Sequence, residues 1–168
     1  MKNENLSYAL GHPIWSTNPK RQCCSQESQG VERVKVDQVE LFLRGFVTWA
    51  SSQPDIQGVA LVGSFARNTA TDLSDVDLVI LVQDPERYLH DQNWVRHFGE
   101  TSRQQIEDYG ALTSIRVWYS DGREIEYGIT NVNWAAVPLD EGTRQVISDG
   151  MRVLFERRPL LSQLQPKP

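Results

Sequence analysis

The stretch 59–82, VALVGSFARNTATDLSDVDLVILV, constrains this chain more than any other. One apolar run ends at Gly63-Ser64, and a second opens on Asp75 and Asp77. Side chains alternate along a strand, so residues two apart leave the same face. Two carboxylates on one face repel unless a cation sits between them. A strand opening on Asp-x-Asp therefore reads as a divalent-metal site, and the Gly-Ser turn ahead of it can hold an anion.

The flanking pattern supplies a scaffold. Val39, Phe42, Leu43, Phe46, Trp49 and Ala50 recur three and four apart, which predicts a helix of about 16 residues stopped by Ser51-Ser52-Gln53-Pro54. Ile56 to Val62 reads as a first strand and Asp75 to Val82 as a second, joined by a short helix at FARNTA and a polar loop at Thr71 to Ser74. Asp84-Pro85 reads as an N-cap and first helical residue. Asn93 is expected to cap a further helix carrying Trp94, Val95, Phe98, Ile106 and Tyr109, with Gly99 as its weak point. Asp121-Gly122 predicts a hairpin between Thr113–Tyr119 and REIEYGIT. A helix from Asp140 to Asp149 and the apolar run MRVLF follow. The expected class is α/β (α+β): a small mixed sheet with flanking helices.

Composition narrows the function. At 168 residues the chain is long enough for a real core. No apolar run approaches the roughly 20 residues a bilayer requires, and MKNENLSYALGHPIW lacks a signal-peptide core; a cytoplasmic location is expected. A net charge of -5 argues against nucleic acid as the main partner, though not against a nucleotide whose charge metal ions neutralise. Cys23 and Cys24 are adjacent, which suits neither a long-range disulfide nor a zinc site. His12, His90 and His97 have no partner spacing.

A third acid lies on the return strand of the hairpin. Ile125, Tyr127 and Ile129 share one face; Glu124, Glu126 and Gly128 share the other. If that strand runs beside Asp75 and Asp77, three carboxylates converge. Three acids and a phosphate-sized turn suit phosphoryl or nucleotidyl transfer. Aspartate pairs are common as turn formers; the Gly-Ser turn and the hairpin acid together lift this pair above that reading. Glu124 is better placed to pair with Arg116 or Arg123 than to bind a metal.

These residues resemble the signature of the nucleotidyltransferase superfamily that includes DNA polymerase beta, particularly its small bacterial members, the aminoglycoside nucleotidyltransferases and minimal nucleotidyltransferases. Gly63 and Ser64 match the glycine-serine pair, and Ala66 and Arg67 the alanine-arginine pair after it. Ser74, Asp75, Asp77 and Leu78 match the serine-aspartate-x-aspartate-leucine core, and Glu126 the third acid. The likeness spans Gln38 to Glu156. The polar, Gly- and Pro-punctuated start reads as a loosely ordered leader over residues 1–30, and the stretch 159–168 as a frayed tail, which leaves 31–158 as the expected nucleotidyltransferase domain. The likeness implies that Asp75, Asp77 and Glu126 bind two Mg²⁺ ions, with Mn²⁺ as a substitute. Gly63, Ser64, Arg67 and Ser74 would bind the nucleotide. The reaction implied is transfer of a nucleoside monophosphate, AMP from ATP, to a hydroxyl of an unidentified acceptor.

Two departures from the pattern matter. Asn68 stands where the family usually has glycine, and asparagine is the non-glycine residue that best tolerates a left-handed backbone. The resemblance ends at Glu156, so the helical domain that shapes the acceptor cleft in drug-modifying relatives is not expected within these 168 residues. The expectation is therefore a homodimer or a helical protein partner bordering the acceptor side, with Trp94, Trp118 and Trp134 as candidate cleft linings. The alternative is an antitoxin-like interaction module of the same fold, paired with a helical protein.

Overall fold

The computed structural model describes residues 24–165. Helix α1 (Cys24–Ser52) is followed by β1 (Ile56–Val62), the single turn α2 (Gly63–Ala66) and β2 (Val76–Val82). Next come α3 (Pro85–His90), a 3₁₀ segment (Gln92–Phe98), β3 (Thr101–Asp108), β4 (Thr113–Tyr119) and β5 (Glu124–Asn131). A 3₁₀ turn (Val132–Ala135), α4 (Glu141–Asp149), β6 (Arg152–Glu156) and a last 3₁₀ turn (Ser162–Leu164) complete the chain. The six strands form one mixed sheet in the order β3-β4-β5-β2-β1-β6, in which β2 and β5 pair in parallel and the other neighbours pair antiparallel.

Alternation along the strands divides the core in two. On one face Leu78, Ile80, Ile115, Val117, Ile125, Tyr127 and Ile129 pack under Val39, Phe42, Leu43 and Phe46 of α1. The periodicity that predicts α1 is this buried stripe. The helix begins at Cys24, earlier than its apolar spacing indicates; the rest of the expected leader, residues 1–23 with Cys23, lies outside the described residues. Trp49 stacks on Trp94 at 5.4 Å between ring centroids, so Trp94 belongs to this core and not to a cleft. The Tyr119 hydroxyl donates to the Val95 carbonyl at 2.8 Å and lies 2.8 Å from the Tyr127 hydroxyl, which satisfies two buried phenols. The opposite face carries a smaller cluster of Ala60, Val62, Val79, Leu81, Trp134, Ala135 and Leu161, with Val146 and Ile147 of α4 against it.

Two expectations are corrected. The helix expected across Asn93 to Tyr109 is a 3₁₀ segment followed by β3. Gly99, at φ +150°, breaks the segment, and a Cβ there would meet Arg123 Nη2 at 2.9 Å. β3 is an edge strand bonded to β4 alone, and its polar sequence TSRQQIED carries no alternation to betray it. Ile106 and Tyr109, expected on a buried helix face, are 54% and 55% exposed. Most of the run MRVLF lies in β6 (Arg152–Glu156), the opposite edge, paired with β1. Residues 159–165 are not frayed: Leu161 is fully buried. The Glu156 carboxylate accepts hydrogen bonds from the Leu160, Leu161 and Ser162 amides at 2.9–3.2 Å.

Asp84 precedes α3 as expected, but its side chain makes no capping hydrogen bond. Asp140 does cap α4, accepting from Thr143 N at 3.0 Å.

Candidate active site

β2 and β5 run side by side with Asp77 directly opposite Glu126. Because the pair is parallel, both strands bring their first residues to the same end of the sheet. Asp75 sits one residue ahead of β2. Asp75, Asp77 and Glu126 can each offer one oxygen such that all three lie within 4.8 Å of one another. The structure thus brings together the three acids singled out in the sequence. They lie on the face opposite α1, since their strand neighbours of opposite parity, Leu78 and Ile125, are buried under that helix.

The electrostatics fit a cation. Asp77 is pushed up to about 7, first by burial and then by the charges of Asp75 and Glu126, with Arg116 and Arg67 opposing. Burial also raises Glu126, against the pull of Arg116. Carboxylates raised by burial and by one another are relieved by a shared divalent ion.

The Gly63-Ser64 turn abuts the acids. Gly63 has φ +68°, and a Cβ placed on it would lie 2.0 Å from Asp77 Oδ2. Only glycine allows the carboxylate to lie so close. Ser64 Oγ is buried without a hydrogen-bond partner. A buried hydroxyl left unpaired at such a turn fits an oxygen-rich ligand such as phosphate. Arg67 lines the adjoining cavity, its stem lying over Gly150. Asn68 takes φ +58°, the left-handed conformation expected of it. Ser74 is placed differently. Its Oγ accepts from the Thr71 amide at 2.9 Å, fastening the 71–74 loop, and it is not among the residues lining the cavity.

That cavity, about 460 Å³, is bounded by Asp77, Glu126 and Gly63 at one end. Leu112, Gly128, Trp134 and Val146 give it an apolar lining, and Thr143, Asp140 and Asp149 line it as well. Of the three tryptophans considered, Trp134 lines it; Trp118 lies under Arg103, whose guanidinium carbon is 4.4 Å from the ring centroid.

One site residue is not evident from the acidic motif. Arg116, half-buried on β4, points into the acids. Its Nη1 is 2.9 Å from Asp75 Oδ2 and 2.8 Å from Glu124 Oε1, its Nη2 bonds Glu126 Oε2, and its Nε is 3.4 Å from the Glu107 carboxylate. The signal lay in the hairpin register: a turn at Asp121-Gly122 sets Arg116 opposite Glu126.

A mixed sheet with three acids beside a Gly-Ser turn defines a nucleotidyltransferase-type site. Residues 38–154 match the family model described as streptomycin adenylyltransferase, and the chain belongs to that family. This places it in the nucleotidyltransferase superfamily. No curated protein matches it. Among solved structures it is similar to an aminoglycoside 6-adenyltransferase from Bacillus subtilis, at 18% identity and TM-score 0.45 over 56% of this chain and 35% of that one. It is also similar to the Cid1 poly (U) polymerase, at 18% identity and TM-score 0.38 over 63% and 32% of the two chains. The polymerase core of TRAMP matches at 12% identity and TM-score 0.39 over 66% and 32%. The chain spans about a third of the length of these structures.

Proposed function

We propose that this chain transfers a nucleoside monophosphate, AMP from ATP, to a hydroxyl of an acceptor, releasing pyrophosphate. The observation that carries the reading is the convergence of Asp75, Asp77 and Glu126 within 4.8 Å beside the Gly63-Ser64 turn. The family described as streptomycin adenylyltransferase supports the adenylyl group. Asp75, Asp77 and Glu126 would hold Mg²⁺, two ions in the presence of the triphosphate, with Mn²⁺ able to replace them. When bound, Mg²⁺ neutralises the phosphates and acidifies the attacking hydroxyl.

The chain's own residues do the rest. Ser64 Oγ donates to a phosphate oxygen, and Arg67 supplies a positive charge at the cavity wall. Ser74 acts by fastening the loop that leads into Asp75. The acceptor oxygen forms a bond to the α-phosphorus as the bond to pyrophosphate breaks, and its proton passes to Glu126 or to solvent. The apolar wall of Leu112, Val146 and Trp134 limits access of competing water. Beyond the acids assigned to the metal, two carboxylates, those of Asp140 and Asp149, line the cavity against the single arginine Arg67. That balance favours a cationic acceptor.

Among the described residues no helix is long and apolar enough to cross a membrane. We place the protein in the cytoplasm, with a second copy or a helical protein bordering the acceptor side; light scattering at micromolar concentration tests the self-paired form.

The test is magnesium-dependent pyrophosphate release, screened over the four nucleoside triphosphates with amino sugars, neutral sugars, tRNA and proteins as acceptors. Release with ATP and an acceptor, abolished in Asp77→Asn, is the expected result. No release with any pair, from folded protein, would overturn the reading and favour an interaction module of the same fold.

A further inference from the structure

We infer that Arg116 is a positioning residue that competes with the divalent ion for Asp75 and Glu126, and so makes metal binding at the acids conditional on the nucleotide. The inference rests on the proposed nucleotidyl transfer, and its test is chosen to separate the two.

The guanidinium meets four carboxylates, and these are of two kinds. Asp75 and Glu126 belong to the cluster that can share an ion; Glu124 and Glu107 do not. Arg116 bonds Asp75 Oδ2 and Glu126 Oε2. An ion entering the cluster seeks oxygens of those same two carboxylates. Arginine cannot give up its proton to relieve the conflict. Nor can it easily leave: its backbone is held between β3 and β5 in the sheet, opposite Gln105 and Glu126. The side chain can shift its bonds towards Glu124 and Glu107, the two carboxylates outside the cluster that can share an ion. Glu107, on β3, accepts from the Tyr109 hydroxyl at 2.6 Å and offers the guanidinium a partner on the side away from the three acids.

Two positive groups crowded onto the same acids oppose one another. A nucleoside triphosphate changes the balance, because it brings several negative charges and its own oxygens for the ion. Arg116 thus holds Asp75 and Glu126 in place while discouraging an ion that arrives without its nucleotide.

The test measures binding of Mn²⁺ to the full chain, by electron paramagnetic resonance or calorimetry, with and without a non-hydrolysable ATP analogue. In the wild type, Mn²⁺ should bind far more tightly when the analogue is present. Arg116→Gln should bind Mn²⁺ about tenfold more tightly without the analogue, with the analogue's tightening effect shrunk to match. Arg116→Lys, which keeps the charge, should fall between them. Glu107→Gln keeps the guanidinium and all three acids but removes that charged partner, so Mn²⁺ binding without nucleotide should weaken several-fold. It also serves if Arg116→Gln does not fold. Unchanged or weaker Mn²⁺ binding in folded Arg116→Gln, or unchanged binding in Glu107→Gln, overturns the inference. Mn²⁺ binding that shifts in the variants as stated, with no pyrophosphate release from any acceptor, would count against the transfer reaction and leave the competition standing. No Mn²⁺ binding in any variant, with or without the analogue, overturns both.

Discussion

The carboxylate of Asp77 rests against the backbone of Gly63 so closely that an added Cβ would lie 2.0 Å from its Oδ2. The two residues are also near in the sheet, where Val62, the neighbour of Gly63, pairs with Asp77 across β1 and β2. The turn and the acid therefore cannot be changed independently.

Gly63→Ala should displace Asp77 while leaving the strands in place. Displacement of a reacting group by about 1 Å is enough for a rate loss on the order of 100-fold. The alanine must also adopt φ +68°, so a stability loss of about 1–2 kcal/mol is expected as well. Pyrophosphate release and thermal unfolding on the same sample separate the two effects. Wild-type turnover in the variant would show that the acid's position is not critical.

Asp77 gives the fold a pH dependence of defined sign. Its carboxyl is raised from 3.8 to about 7 in the folded chain, so between those values the folded state holds a proton that the unfolded state has lost. Stability from this group is complete at low pH and declines as pH rises towards 7. Asp77→Asn should remove that decline and be more stable than wild type at pH 8 by about 1–3 kcal/mol. Urea unfolding of both proteins at pH 5 and pH 8, without divalent ions, measures the difference. A variant less stable than wild type at pH 8 would refute it.

Asn68 occupies a left-handed backbone at φ +58°. Asn68→Gly should change stability by less than about 0.5 kcal/mol and leave nucleotide affinity at the wild-type level, because the turn is already formed. Asn68→Ala should cost about 1 kcal/mol through backbone strain. A large gain in ATP affinity in Asn68→Gly would show instead that the asparagine side chain obstructs the ligand.

Leu161 tests whether the C-terminal segment is part of the core. Its burial against Gly58 and Leu81 predicts that Leu161→Ala costs about 2–5 kcal/mol in urea unfolding. A loss below about 0.5 kcal/mol would mean that the segment is dispensable.

What could be read in the sequence was what packing imposes locally. α1, the β4–β5 hairpin and α4 each carry a period or a capping signal, and β1 and β2, buried on both faces, read as continuous apolar runs. β3 and β6 lie at the sheet edges, where one ladder of backbone hydrogen bonds suffices, and neither announces itself by alternation. The acids were legible because strand parity links Asp75 with Asp77 and the hairpin isolates Glu126. The place of Arg116 was implicit in the same hairpin register but needed knowledge of which face lies under α1. Leu112 comes from the β3–β4 loop, Trp134 from a 3₁₀ turn and Val146 from α4, and only the folded chain places them on one cavity wall.

The parallel pairing of β2 with β5 has a consequence for how the protein can be divided. Asp75 and Asp77 precede the Asp121-Gly122 turn in the chain, and Glu126 follows it. A chain cut at that turn would give two pieces, each with an incomplete set of acids and each lacking a neighbour for its central strand. Reassociation would restore the ladder and the acids in one event. Cation binding in the presence of nucleotide would then report fragment complementation, making this small sheet a natural candidate for a split sensor.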